Sequence, residues 1–154
     1  MLLGLLVAII ASVTTIYHRG MYTVWSAGSV ERLSASSAYK LLNEGELVVI
    51  DARSTREFNV SHLPGAVRYS PNVLDTLDPN QPVLVYCTVS VRSNSLAKEM
   101  SEKGFTQIYD IKGGLVSWIN DQKELINAEN QVTDTIHTYS KWVAPFVRKG
   151  TAVY

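Results

Sequence analysis

Downstream of Gly28 the chain alternates short, wholly apolar runs with stretches of helical spacing. Ser34-Ala35-Ser36-Ser37 stands ahead of Ala38, Leu41 and Leu42, an N-cap signal before an apolar face, and Gly45 ends it, which predicts a helix from about Ser36 to Asn43. Leu47-Val48-Val49-Ile50 is a β-rich run, Ala66-Val67-Arg68-Tyr69 follows the turn signal Pro64-Gly65, and Val83-Leu84-Val85-Tyr86 follows Asp78-Pro79-Asn80-Gln81-Pro82. Gln107-Ile108-Tyr109-Asp110 reads as a fourth strand. Between the last two, Ser93 to Lys103 places Leu96, Ala97 and Met100 on one helical face, with Gly104 at the C-cap. Apolar strands without clean alternation, separated by helices, predict an α/β domain with a mainly parallel central sheet and helices on both faces. Beyond Trp118 the apolar residues Leu125, Ile126, Val132, Ile136, Tyr139, Trp142, Val143 and Phe146 fall loosely at helical intervals, with Pro145 as a breaker. That stripe predicts packing on the domain or an added helix. A partner or membrane-surface contact is the alternative.

The N-terminus adds a second pattern. Leu2 to Tyr17 carries no charge and sits at the short end of what spans a hydrocarbon core, so it reads as a transmembrane anchor or a secretion signal. The lack of Lys or Arg before His18-Arg19, and the distance to the small residues Ser26-Ala27-Gly28, favour a retained anchor over a cleaved signal. Arg19 after the apolar run places the following domain on the cytoplasmic side. The expected organisation is an anchor over 1–20, a linker or first strand over 21–32 that includes Tyr22, Val24 and Trp25, an α/β domain over 33–122, and a partly helical extension over 123–154.

Composition narrows the function. The 154 residues suffice for one domain with a core, and 14 basic against 14 acidic side chains leave no net field to attract nucleic acid. His18, His62 and His137 lie far apart without a second ligand at metal-site spacing, so no metal and no cofactor is expected. A single cysteine excludes an internal disulfide. That cysteine, Cys87, ends the run Val83 to Tyr86 and opens Cys87-Thr88-Val89-Ser90-Val91-Arg92-Ser93, which leads into the predicted helix. A strand delivering a thiol to a helix N-terminus sets the sulfur among unpaired backbone N–H groups, which favour an anion, and in open parallel sheets ligands bind at the carboxyl ends of strands. Cys87 is therefore a candidate nucleophile. Free cysteine is also among the most buried residue types, and an inert core thiol is the competing reading.

Three separated stretches carry a resemblance. Val49-Ile50-Asp51-Ala52-Arg53 with Glu57-Phe58 and His62-Leu63-Pro64-Gly65-Ala66 is the first, the Cys87 to Ser93 loop the second, and Tyr109-Asp110-Ile111-Lys112-Gly113-Gly114-Leu115 to Trp118 the third. In this order and spacing, from about Leu33 to Ile119, the chain resembles the rhodanese-like sulfurtransferases. The resemblance implies a rhodanese-like fold and a Cys87 that takes a sulfane sulfur from a donor such as thiosulfate, polysulfide or a persulfide. The sulfur is held as a persulfide and passed to a thiophilic acceptor, cyanide, a thiol or a protein acceptor. Thr88, Val89, Ser90, Val91, Arg92 and Ser93 would form an amide cradle for the outer sulfur. Arg92 would add positive charge for an anionic donor, its alternative being an ion pair with an acidic residue. Asp51, Arg53 and His62 are expected to support the site, the first two by bracing the active loop. Related phosphatases and arsenate reductases place five residues between Cys and Arg, whereas four stand between Cys87 and Arg92, which suits one sulfur atom over a tetrahedral oxyanion. Many single-domain relatives carry Arg directly after the cysteine and Gly two further on. Thr88 and Ser90 stand there instead, so the loop has less charge for thiosulfate, and Ser90 must take a backbone geometry that glycine reaches more easily. A binding or sulfur-relay module without turnover is the alternative function.

Overall fold

The apolar runs become neighbours in one parallel sheet. A computed structural model describes residues 30–154. In chain order these form β1 (Val30–Leu33), α1 (Ala35–Glu44), β2 (Val48–Asp51), α2 (Thr55–Val60), β3 (Val67–Arg68), α3 (Pro71–Asp75), β4 (Val83–Tyr86), α4 (Val91–Glu102), β5 (Ile108–Ile111) and α5 (Gly114–Asn120). The sheet order is β1-β5-β4-β2-β3, and every pairing in it is parallel. All four residues of the middle strand β4 are buried, which explains why its sequence is a continuous apolar run and not an alternation.

The two-residue period of the strands divides the core. Val49, Leu84, Tyr86 and Ile111 face one way, into a cluster with Ala35 and Ala38 of α1 and Leu115, Trp118 and Ile119 of α5. Ile50, Val83, Val85 and Ile108 face the other way, against Leu74 of α3 and Leu96, Ala97 and Met100 of α4. Each Val, Leu or Ile fully buried in this way contributes about 1.5–3 kcal/mol. The helices α2 and α3 are elements the hydrophobic pattern did not reveal, and β1 overlaps only the end of the segment 21–32 read as a linker or first strand. The six residues of α2 are too few for a periodic stripe, and the helix is held by its cap: Ser54 Oγ accepts from the Glu57 N–H while the Glu57 carboxylate accepts from the Ser54 N–H.

Residues 123–154 correct the expectation of a partly helical extension. They form β6 (Leu125–Ile126) and β7 (Val132–Thr133), an antiparallel pair, then β8 (Thr135–His137) and β9 (Thr151–Val153), a parallel pair, with one short 3-10 turn at Ala144–Phe146. Leu125 and Ile136 lie in the core cluster under α5 with Val143 packed against it, whereas Val132, Tyr139, Trp142 and Phe146 of the same stripe are exposed, so the expected packing holds for part of the stripe and comes mainly from strands. Asn130 and Tyr139 take positive φ, and β-branched Val132, Thr133, Thr135 and Ile136 fit extended backbone, so local chemistry there opposes a helix. The expected anchor over 1–20, and Tyr22, Val24 and Trp25, lie outside the described residues. Among the described residues no helix is long and apolar enough to cross a membrane.

Candidate functional site

Cys87 follows β4 directly and is 1% exposed. Its loop is sewn to the start of α5, where Leu115 N–H donates to the Cys87 carbonyl at 2.9 Å and Val116 N–H to the Thr88 carbonyl at 3.2 Å. That approach explains the second glycine of the pair. Gly114 has φ +56°, and a Cβ there would run into the Cys87 carbonyl oxygen and the Thr88 backbone. Ser90, the cap of α4, sits in the left-handed region at φ 67°. Its hydroxyl donates to the Ile111 carbonyl at 2.6 Å, a buried bond that offsets a left-handed cost of about 1–2 kcal/mol.

This backbone leaves donors in the loop that follows the sulfur. The first helical bond of α4 runs from Asn94 N–H to the Ser90 carbonyl, and the amides of residues 88–93 donate to no backbone carbonyl among the described residues. The structure thus gathers Thr88, Val89, Ser90, Val91, Arg92 and Ser93 into the loop that follows Cys87, at the carboxyl end of a central strand. Clusters of such N–H groups hold anions.

Two polar clusters flank the loop. On one side Arg92 grips Glu57 with both ends of its guanidinium, Nη1 to Oε2 at 2.8 Å and Nη2 to Oε1 at 2.6 Å, and Nη2 also donates to Thr88 Oγ1 at 3.2 Å. Thr88 and Ser54 hydroxyls donate to the same carboxylate. Burial alone would raise the Glu57 carboxyl. The hydrogen bonds from Arg92 and Ser54 overcome that and hold it at about 2. The outer face of Arg92 carries the Tyr139 ring, 5.2 Å from guanidinium carbon to centroid. Arg92 is therefore committed to an ion pair, the alternative weighed for it, and does not stand open as a receptor for an incoming anion.

On the other side Ser93 Oγ donates to Asp110 Oδ1 at 2.6 Å and lies 3.7 Å from Cys87 Sγ. Asp110 is fully buried, and burial pushes its carboxyl up to about 6 against the opposing pull of Ser93, Arg32 and Ser90. Arg32 faces Asp110 across the β1–β5 register and reaches Asn94 with Nη2 at 3.1 Å. Neither Glu57 nor Asp110 had been assigned a role from the sequence, although both stand inside the signatures quoted above. The signal for Asp110 is the strand register, which no single segment carries.

The supporting residues behave as scaffold. Asp51 and Arg53 are buried and pair with each other, Arg53 Nη2 to Oδ2 at 2.7 Å, and Arg53 Nη2 also donates to the Ser61 carbonyl at 2.5 Å. They were expected to pair with neighbours and brace the loop. They brace the β2–α2 turn, and Arg53 also lies over the ring of Tyr86, the residue before Cys87, at 5.8 Å. His62 is fixed by its backbone exchange with Ile126, by a 2.9 Å contact of Nδ1 with the Phe58 carbonyl, and by stacking on Phe58 at 3.8 Å. Among the described residues no group of three His, Cys, Asp or Glu is arranged to hold a metal ion.

Comparison with known proteins bears on this arrangement. The sequence profile of the rhodanese-like domain matches residues 34–121, which carry all five helices and four of the five sheet strands. The chain belongs to the rhodanese-like family. A thiosulfate sulfurtransferase, GlpE, of Coxiella burnetii is 29% identical over 92 residues, which is 57% of this chain and 86% of that protein. The rhodanese fold itself recurs in a rhodanese-related protein from Thermoplasma volcanium, with 21% identity, a TM-score of 0.54, and coverage of 62% of this chain and 97% of that one. It recurs again in the Alr3790 protein from Anabaena sp., with 21% identity, a TM-score of 0.57, and coverage of 64% and 83%. The rhodanese-like match ends before β6, so residues 122–154, with Tyr139, lie outside it.

Proposed function

We propose that this rhodanese-like chain is a sulfurtransferase that carries a sulfane sulfur on Cys87. The observation that carries the reading is the placement of Cys87 at the carboxyl end of β4, before six amides with no backbone acceptor among the described residues. The thiolate attacks the outer sulfur of the donor, and that sulfur becomes the terminal atom of a Cys87 persulfide within reach of the loop N–H groups. A thiol or cyanide then removes it. Thiosulfate, polysulfide and organic persulfides are the donor classes, and a protein thiol is among the acceptors. With Arg92 neutralised by Glu57, a persulfide or polysulfide is the better donor and thiosulfate the poorer one.

Intact-mass measurement of the purified chain after exposure to each donor tests the reading. The expected result is a gain of one sulfur atom, absent in Cys87→Ser, and faster with persulfide than with thiosulfate. No gain with any donor overturns it.

We further propose that Leu2 to Tyr17 anchors the protein, with the rhodanese domain on the cytoplasmic side. The uncharged run and Arg19 after it support this. Protease protection of the domain in sealed vesicles with the cytoplasmic face inside is the expected outcome, and free digestion there reverses the orientation.

A further inference from the structure

We propose that Ser93 and Asp110 form a proton path for Cys87, in which Asp110 takes up the thiol proton through the Ser93 hydroxyl as the thiolate forms and returns it when the sulfur departs. The inference rests on the reading of Cys87 as the nucleophile, and adds to it two positioning residues from another helix turn and another strand.

The geometry supplies each step. Ser93 has one hydroxyl hydrogen and two lone pairs, and its hydroxyl meets two groups that can exchange a proton, Asp110 Oδ1 at 2.6 Å and Cys87 Sγ at 3.7 Å. With Asp110 ionised the hydroxyl hydrogen points to the carboxylate, and an Oγ lone pair faces the thiol. When the Sγ–H bond breaks, its proton passes to Ser93 Oγ while the Ser93 hydrogen passes to Asp110 Oδ1. Asp110 is then neutral, and the hydroxyl hydrogen points to a thiolate. Ser93 and Asp110 are fully buried, so this line is closed to bulk solvent.

The chemistry balances. The Cys87 electron pair forms a bond to the outer sulfur of the donor, whose own bond to that sulfur breaks with the pair leaving on sulfite or a thiolate. In the second half an acceptor thiolate attacks the outer sulfur, the Cys87 sulfur leaves with its pair, and the proton returns from Asp110 through Ser93.

Asp110 suits a group that must hold a proton part of the time. Its Oδ2 is buried without a hydrogen-bond partner among the described residues, and so are Nε and Nη1 of Arg32. A carboxylate meant only to brace the sheet would be saturated, as Glu57 is. The polar groups facing Asp110 are Arg32 from β1 and Ser90 and Ser93 from α4 and its cap, and Arg32 makes no direct ion pair with it. Burial weakens its acidity to near 6.

The test is the pH profile of Cys87 alkylation by iodoacetamide in the full-length protein, which needs no sulfur donor. In wild type the rate follows an inflection that belongs to the Cys87–Asp110 pair. In Asp110→Asn and in Ser93→Ala the profile moves to a single ionisation of the thiol by itself, and the rate at neutral pH falls at least about tenfold, the lower edge of general-base effects. A folded Asp110→Asn with the wild-type profile and rate overturns the path. A second readout needs no variant at Asp110: the NMR titration of its carboxyl carbon must shift between wild type and Cys87→Ala, and an unmoved titration also overturns the path. Failure of sulfur uptake alongside Asp110-dependent alkylation would sink the sulfurtransferase reading and leave the path standing.

Discussion

The two buried carboxylates beside the Cys87 loop differ in what donates to them. Glu57 receives both ends of the Arg92 guanidinium, two hydroxyls and a backbone N–H, and it is held at about 2. Asp110, no less buried, receives one hydroxyl at short range, keeps a bare Oδ2, and is pushed to about 6. Burial acts on both in the same direction, so the donors decide the outcome. A saturated carboxylate is structure: it fixes the cap of α2, the Arg92 side chain and Thr88 as one unit. An undersupplied carboxylate is poised to change state, and it lies one hydroxyl from the nucleophile.

The contrast is broken most strongly through the pH dependence of folding. The Glu57 carboxyl is held at about 2 against an ordinary 4.5, which at about 1.4 kcal/mol per pKa unit favours the folded chain by about 3 kcal/mol at neutral pH. That stability is present above the ordinary value and is lost as pH falls toward the folded one, so Glu57→Gln loses about 3 kcal/mol at neutral pH and flattens the acid limb of a urea-unfolding series. Asp110 has the opposite sign. Its carboxyl is raised from 3.8 to about 6, so the folded state holds the proton more tightly, and stability falls as pH rises between those values. Asp110→Asn therefore removes a slope of the other sign and gains up to about 3 kcal/mol at neutral pH. The gain is the smaller of the two in practice, because the amide keeps only part of the Ser93 hydrogen bond. Slopes of the same sign in the two variants would erase the distinction between the sites.

The sequence and the structure agree most closely where physics is local. The run Val83 to Tyr86 is a strand with those bounds, and the predicted helices near α1 and α4 differ from the observed ones by one or two residues at the ends. Cys87 and its loop were legible because a strand, a thiol and a helix start are adjacent in the chain. The partners of the loop were not. Glu57 stands 35 residues from Arg92 and Asp110 17 from Ser93, and only the sheet order brings them together. The extension misled because its apolar residues are spaced loosely enough to fit a helix, while the positive φ at Tyr139 and the pairing of β8 with β9 depend on packing against α2 and α5. Tyr139 could not have been placed on Arg92 without that packing.

The Tyr139 ring tests the saturated side with the smallest effect. It is mostly exposed, at 72%, and lies on the face of the guanidinium, while the N–H donors of Arg92 point at Glu57 and Thr88. Tyr139→Ala removes a cation–π contact of about 0.5–1 kcal/mol and uncovers the Arg92 face. It leaves the hydrogen-bonding edge committed and the charge of Arg92 cancelled. Thiosulfate uptake by Tyr139→Ala, followed as persulfide formation against donor concentration, should then stay within about twofold of wild type, because an oxyanion is bound through N–H donors and net charge and not through the guanidinium face. Glu57→Gln removes the cancelling charge and one of the two carboxylate acceptors of Arg92, so its uptake of thiosulfate should rise relative to that of a persulfide donor, with a dependence on salt that wild type lacks. If Tyr139→Ala alone produced that rise, the aromatic cover would be the element that keeps anions from Arg92, and Glu57 would be reduced to a cap for α2.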